Sequence, residues 1–253
     1  MGFTIGRSWR VTMERKKRSG SSLPNRRTIQ TEQKRRLILK VATEVFAERG
    51  FNEATISQIS QKAKIAEGSI YHYFENKEDL LFSIPEEQME IFLSGLYENL
   101  EGVEGALNKI RKLIWYHLNF YEKNRDYVLI LLQNIRLKPS FTSTRAYALI
   151  RDFSRLVVQL IEKGKNEGAI RKDVDSKLLR DAILGSIEHV TIRGSILGRL
   201  TKLSHAAAPI YAFFVSGIQT HAGSVIVPLQ QFLEMKNLIT ERSTQKPRKM
   251  EPH

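Results

Sequence analysis

The sequence predicts an all-α protein in which a unit of short helices precedes a region of longer ones. Three observations predict it. From about residue 31 onward apolar residues recur at helical spacing rather than in alternation. Only seven prolines interrupt the 253 residues. Capping and turn residues fall between the periodic runs, close together before residue 85 and further apart after it.

In the first helix Ile38, Val41, Ala42, Val45 and Phe46 follow the i, i+3, i+4, i+7, i+8 pattern of one buried face. Gly50 supplies a left-handed stop, and Phe51 is placed to fold back on Phe46. Thr55-Ile56-Ser57-Gln58 then forms a T-x-x-Q capping box that opens a short second helix with Ile56, Ile59 and Ala63 inward. A tight turn from Ala63 to Ala66 leads to a third short helix holding Ile70 and Phe74 inside. Asn76 caps the next helix, Asp79 places acid in its first turn, and Leu80, Leu81 and Ile84 point inward. Beyond residue 85 the expected helices are 86–101, 104–123, 125–137, 142–167, 175–199 and 206–235. Gly102, Lys123-Asn124, Pro139 and the link from Gly168 to Asp173 separate them, and Asp175 caps the fifth.

Composition narrows the class. Hydrophobic residues make up 42% and charged residues 26%, as in globular proteins, and the length suffices for a sizeable core. With no cysteine, disulfides and thiolate metal sites are excluded. The net charge of +13 is concentrated: residues 1–36 hold eleven Lys/Arg against Glu14 and Glu32, a surplus of nine. The expected organisation is a basic, disordered arm at 1–30, a short-helix unit at 31–84, a long-helix region at 85–236 and a basic, disordered tail at 237–253. No secretion signal is visible, and the most apolar stretch, 206–218, is too short to span a bilayer. Catalytic sequences are absent too. His72, His117, His189, His205, His221 and His253 show no metal-ligand spacing, and there is no G-x-S-x-G, P-loop or G-x-G-x-x-G. The expectation is a protein that is not an enzyme and carries no metal or cofactor.

Two short helices joined by a tight turn describe a helix-turn-helix, whose second helix enters the DNA major groove. With Ile70 and Phe74 inward, Glu67, Gly68, Ser69, Tyr71 and His72 face out and Tyr73 lies on the boundary. Tyr71 and Tyr73 suit phosphate or a thymine methyl, Ser69 and His72 a base edge or phosphate, and Gly68 a close approach. Thr55, Ser57 and Lys77 are candidate phosphate contacts.

The residues that carry this reading resemble the tetracycline-repressor (TetR-like) family of bacterial regulators. The match runs over about residues 33–81, through Ala42, Phe46, Gly50, Phe51, Ala54-Thr55-Ile56 and Ile59. It is strongest over Gly68-Ser69-Ile70-Tyr71-His72-Tyr73-Phe74 and Asn76-Lys77-Glu78-Asp79-Leu80-Leu81. The resemblance implies a three-helix helix-turn-helix DNA-binding domain plus a C-terminal helical effector-binding and dimerisation domain. It also implies a homodimer in the bacterial cytoplasm, nucleoid-associated, acting most often as a repressor of a pseudo-palindromic operator. A hydrophobic or amphipathic small molecule would release it.

For the effector pocket the candidates are Met89, Phe92, Trp115, Tyr116, Phe120, Tyr127, Leu131 and Phe153, with Tyr121 beside them. GAIRKDVDSKLLRD and GSIEHVTIRGSILGR resemble the matching stretch of members that respond to fatty acyl-coenzyme A. Small residues there also suit close helix packing, so Gly185, His189, Arg193, Gly194 and Gly198 are candidates for the dimer interface. Two readings from other classes compete: a helical lipid-binding or carrier protein with a basic membrane-binding arm, and a nonspecific nucleic-acid binder.

Two positions depart from the family pattern. Lys64 stands in the turn where Gly is usual, and Ala66-Glu67 replaces a hydroxyl-bearing and a cationic or polar residue. Glu67 withholds a positive charge, and Arg26, Arg27, Lys34, Arg35 and Arg36 are expected to supply the missing phosphate affinity. Deleting residues 1–30 should therefore weaken DNA binding and flatten its salt dependence. Unchanged affinity and slope in a salt titration would rule the arm out.

Overall fold

The computed structural model describes residues 26–135, 138–198 and 202–219. Most of the basic arm, the basic tail and the end of the helix expected over 206–235 lie outside them. The described residues form nine α-helices: α1 (Arg26–Arg49), α2 (Ile56–Ala63), α3 (Glu67–Tyr71), α4 (Lys77–Leu100), α5 (Ala106–Lys123), α6 (Arg125–Ile130), α7 (Arg145–Asn166), α8 (Ser176–Thr191) and α9 (Ala207–Ile218). The all-α expectation holds.

Local chemistry sets the short helices. Gly50, with φ 77°, ends α1 while its N–H donates to the Phe46 carbonyl at 2.9 Å. The Phe51 ring then packs 5.5 Å from Phe46. At the start of α2 the Gln58 amide donates to Thr55 Oγ1 at 3.2 Å, and the Thr55 amide donates to Gln58 Oε1 at 3.1 Å. Asn76 Oδ1 accepts from the Asp79 amide at 2.9 Å and so caps α4. Helix α2 packs on α1 and α3, and α1 on α4 and α6. Ile38, Phe46, Ile59, Ile70, Phe74, Leu80 and Leu81 are all at most 2% exposed. The body is built from α4, α5 and α7, with α8 against α7 and α5 and α9 against α5. Its core is continuous with that of the short helices.

Several elements differ from expectation, each for a physical reason. Helix α1 starts at Arg26 rather than near 31, because no Gly or Pro lies between Arg26 and Gly50. Helix α4 runs unbroken through Pro85, where a break was expected. Proline there removes one amide from the helix ladder. Burial of Leu81 and Ile84 on one side, and of Met89 and Phe92 on the other, holds the two halves in line. The helices expected over 125–137 and 175–199 do not stay α-helical. Each passes into one π-helical turn, Leu131–Ile135 after α6 and Ile192–Ile196 after α8. Two 3₁₀ segments, Pro139–Ser143 and Leu203–Ala206, precede α7 and α9.

Lys64 adopts φ 56° and ψ 46°, the left-handed conformation that the turn demands. It is the only non-glycine residue with positive φ among the described residues. A side chain there costs about 1–2 kcal/mol, partly offset because glycine would gain freedom in the unfolded chain. Lys64→Gly should therefore raise unfolding stability by about 0.5–1 kcal/mol in urea titration. A loss of stability would show that the lysine side chain contributes elsewhere.

Candidate nucleic-acid interface and internal cavity

Helix α3 is a five-residue element anchored from beneath by Ile70 and Phe74. Glu67, Gly68, Tyr71 and His72 are exposed, while Ser69 and Tyr73 are half-buried. Tyr71 keeps 54% of its surface accessible, unusual for an aromatic residue on a short helix, and the His72 and Tyr73 rings meet edge-on at 5.3 Å. Thr55 is exposed and Ser57 half-buried at the start of α2. Thr55 and Ser57 thus stand at the start of α2, and Glu67, Gly68, Ser69, Tyr71, His72 and Tyr73 lie on or beside α3.

Lys77 behaves differently from expectation. Its Nζ donates to the carbonyls of Ala54 at 2.9 Å and Asn52 at 3.2 Å, and sits 4.6 Å from the Phe51 ring centroid. The ammonium is a staple between the start of α4 and the loop after α1, not a free phosphate contact. The cations of α1 are also partly engaged. Arg35 lies over the Phe74 ring at 5.5 Å, and Arg36 pairs with Glu32 at 3.2 Å and Glu87 at 3.6 Å. Lys34 remains exposed without an acidic partner among the described residues.

Inside the body an aromatic cavity of about 60 Å³ brings together Met89, Phe92, Phe120, Tyr121, Tyr127, Leu131 and Phe153 from the sequence-predicted set. Phe92 is the hub: His117, Phe153, Phe120 and Tyr116 have ring centroids 5.0, 5.1, 5.2 and 5.4 Å from it. Trp115 and Tyr116 do not line the cavity. Trp115 lies on the outer side of α5, 39% exposed, with Lys112 Nζ 4.6 Å from its ring. Tyr116 leans across α4 at Gly95, where any β-carbon would collide with its hydroxyl.

Sequence reasoning missed much of the remaining lining: His117, Leu132, Ile150 and Ser154, with Leu184, Ile187, Glu188 and Thr191 of α8. The α8 residues recur at i, i+3, i+4 and i+7, a signal that could have found them. Thr191 is fully buried and its hydroxyl donates to the Ile187 carbonyl at 2.7 Å. His117, 8% exposed, has its ring 4.5 Å from Tyr121. The polar groups of an otherwise apolar wall therefore come from His117, Tyr121, Tyr127, Ser154, Glu188 and Thr191.

On the opposite side of α8, Gly185 and His189 are exposed, as are Arg193 and Gly198 beyond its end. Gly194 is buried within the chain, so it is not open to a partner. Helix α9 exposes Ala208, Ala212 and Phe213, the last at 74%.

A helix-turn-helix mounted on an all-helical body with an internal cavity defines a DNA-binding transcriptional regulator. Family comparison gives its kind. Residues 38–84 match the model for bacterial regulatory proteins of the tetR family, and residues 85–217 match the C-terminal region of YsiA-like proteins. The chain belongs to the tetR family.

Among curated relatives, the fatty acid metabolism regulator protein of Bacillus subtilis (strain 168) is 25% identical over 181 residues, covering 72% of this chain and 93% of its own. The transcriptional repressor KstR2 of Mycolicibacterium smegmatis is 26% identical over 151 residues, covering 56% and 70%. Among solved structures, the transcriptional regulator FadR from Bacillus subtilis in complex with stearoyl-CoA has the same fold. It superposes with a TM-score of 0.67 at 24% identity, over 72% of this chain and 98% of that one.

The exposed and the engaged side chains of this surface should separate in experiment. Tyr71→Ala should leave stability within about 0.5 kcal/mol, as for an exposed position, and weaken DNA binding at least tenfold. Lys77→Met should instead lower stability by about 1–2 kcal/mol through loss of two charge-assisted hydrogen bonds. Denaturation and binding isotherms of both variants check this, and the reverse assignment of effects would contradict it.

Proposed function

We propose that the protein is a ligand-responsive transcriptional repressor that binds a pseudo-palindromic operator as a homodimer. An amphipathic small molecule releases it, with long-chain acyl thioesters of coenzyme A the first candidates. The observation that carries the ligand response is the internal cavity, apolar and aromatic around a few convergent polar groups. The thioester class is supported by similarity to a fatty acid metabolism regulator and to a structure in complex with stearoyl-CoA.

At about 60 Å³ the cavity has the volume of roughly two waters. A lipid tail enters only by displacing the rings around Phe92, so binding it changes the shape of the body. One wall leads toward the DNA-binding end. Leu131 and Leu132 line the cavity, and six residues beyond Leu132 Lys138 places Nζ 3.0 Å from Glu78 Oε1 and 4.9 Å from the Phe51 ring. Phe141 stacks on Phe82 at 6.4 Å. A shift of the wall is thereby passed to the loop and helix that support α3. The effector must bind the non-operator arrangement more tightly, or DNA affinity would not change. A 100-fold loss of operator affinity requires a preference of about 2.7 kcal/mol.

Dimerisation through α8 and α9 is supported by their outward faces, where Gly185, Ala208 and Ala212 permit close approach and Phe213 is left on the surface. Two copies related by a two-fold axis would set their α3 helices to two operator half-sites.

A gel-shift assay on the gene's own upstream DNA, repeated with a panel of acyl-coenzyme A thioesters, tests the proposal. A specific shift reversed by long-chain members is expected. No specific shift would overturn the regulator reading, and a shift insensitive to every thioester would remove that effector class.

A further inference from the structure

Tyr127 stands in two walls at once. It closes one side of the aromatic cavity and also lines a separate cleft of about 570 Å³ between α1, α4 and the junction of α5 with α6. The cleft has the opposite chemistry to the cavity. Lys40 reaches it from α1, Lys123 from the last residue of α5 and Arg125 from the first residue of α6. All three are exposed, and among the described residues none makes an ion pair.

The acids of the cleft are mostly engaged. Glu44 pairs with Lys62 at 3.2 Å and Glu87 with Arg36 at 3.6 Å. Glu122 accepts from the Ser204 amide at 2.9 Å and its hydroxyl at 2.8 Å, and these bonds hold its carboxyl below the usual range. Asp126 is the remaining acid. Gln88 lines the same cleft, and its side-chain oxygen has no hydrogen-bond partner among the described residues.

We infer that this cleft receives the phosphate-bearing head of the amphipathic effector while its apolar tail passes Tyr127 into the aromatic cavity. The inference rests on the effector reading above and adds where the charge goes. Three unpaired cations suit several phosphate oxygens better than a single carboxylate, and the cleft has room for a nucleotide-sized group. Gln88 would accept from an amide or hydroxyl of the head. The position also has a regulatory consequence. Lys40 belongs to the DNA-binding half, whereas Lys123 and Arg125 belong to the body, so one anion would tie the two together.

The test is titration of the full-length protein with stearoyl-coenzyme A, stearate and free coenzyme A, for the native chain and for Lys40→Gln/Lys123→Gln/Arg125→Gln. The native protein should bind the thioester at least tenfold more tightly than stearate. The triple variant should lose that advantage while its affinity for stearate changes less than twofold, and Lys123→Arg alone should retain it. Equal thioester binding by native and triple variant would overturn the head site and leave the effector reading standing. Equal native affinity for stearate and thioester would do the same. Failure of the native protein to bind any of the three would remove both.

Discussion

Helix α4 is the constraint on which the rest depends, because it belongs to both halves of the molecule. Its first turns bury Leu80, Leu81 and Ile84 among the short helices, and its last turns bury Met89, Phe92, Leu93 and Leu96 in the body. The two halves therefore cannot move independently by swinging on a loop. Relative motion must bend α4 or rotate it as a rod. Pro85 stands between the two buried stretches and removes one rung of the ladder there, so bending is easiest at that point. The ion pairs of Arg145 with Glu86 and Glu90, on either side of Pro85's next turn, tie the same region to α7.

The cavity meets this rod at Phe92. Because four aromatic rings crowd that one side chain, a ligand cannot enter without moving a residue of α4 itself. Packed aromatic interiors do not deform smoothly; they exchange one arrangement for another. The π-helical turn Leu131–Ile135 itself carries Leu131 and Leu132 of the cavity wall, and Ile192–Ile196 follows directly on Thr191, the last lining residue of α8. Each is a place where the regular ladder is already compromised, and such turns recur at functional sites. A tight, ring-filled cavity bounded by two irregular turns and one proline-weakened helix is where the proposed effector response would switch one packing for another.

What the sequence revealed was governed by local rules. The capping box at Thr55, the Gly50 stop, the Asn76 and Asp175 caps and the inward faces of the short helices all depend on residues within a few positions of one another. Lys64 stood out only against the family pattern, where Gly is usual, and the structure shows the positive φ that such a turn demands. The cavity was only partly legible. Periodicity tells which residues of a helix point inward but not which neighbour they meet. Trp115 and Tyr116 looked equivalent to Phe120, although α5 turns Trp115 outward and Tyr116 toward Gly95. The lining of α8 went unread because its small residues suggested a partner chain, while its opposite face was closing the cavity. Lys77 looked like a phosphate contact, and only the fold brings the carbonyls of Asn52 and Ala54 within its reach.

In the proposed dimer, effector and operator would select different arrangements of the two DNA-binding ends. The chain contains no cysteine, so Glu75→Cys, at an exposed position beside α3, places a single spin label on each protomer. Electron–electron double resonance then gives the distance between the two ends. One distance distribution is expected with operator DNA, and a different one when a thioester that abolishes the gel shift is added. Loss of operator binding with an unchanged label-to-label distance would contradict it.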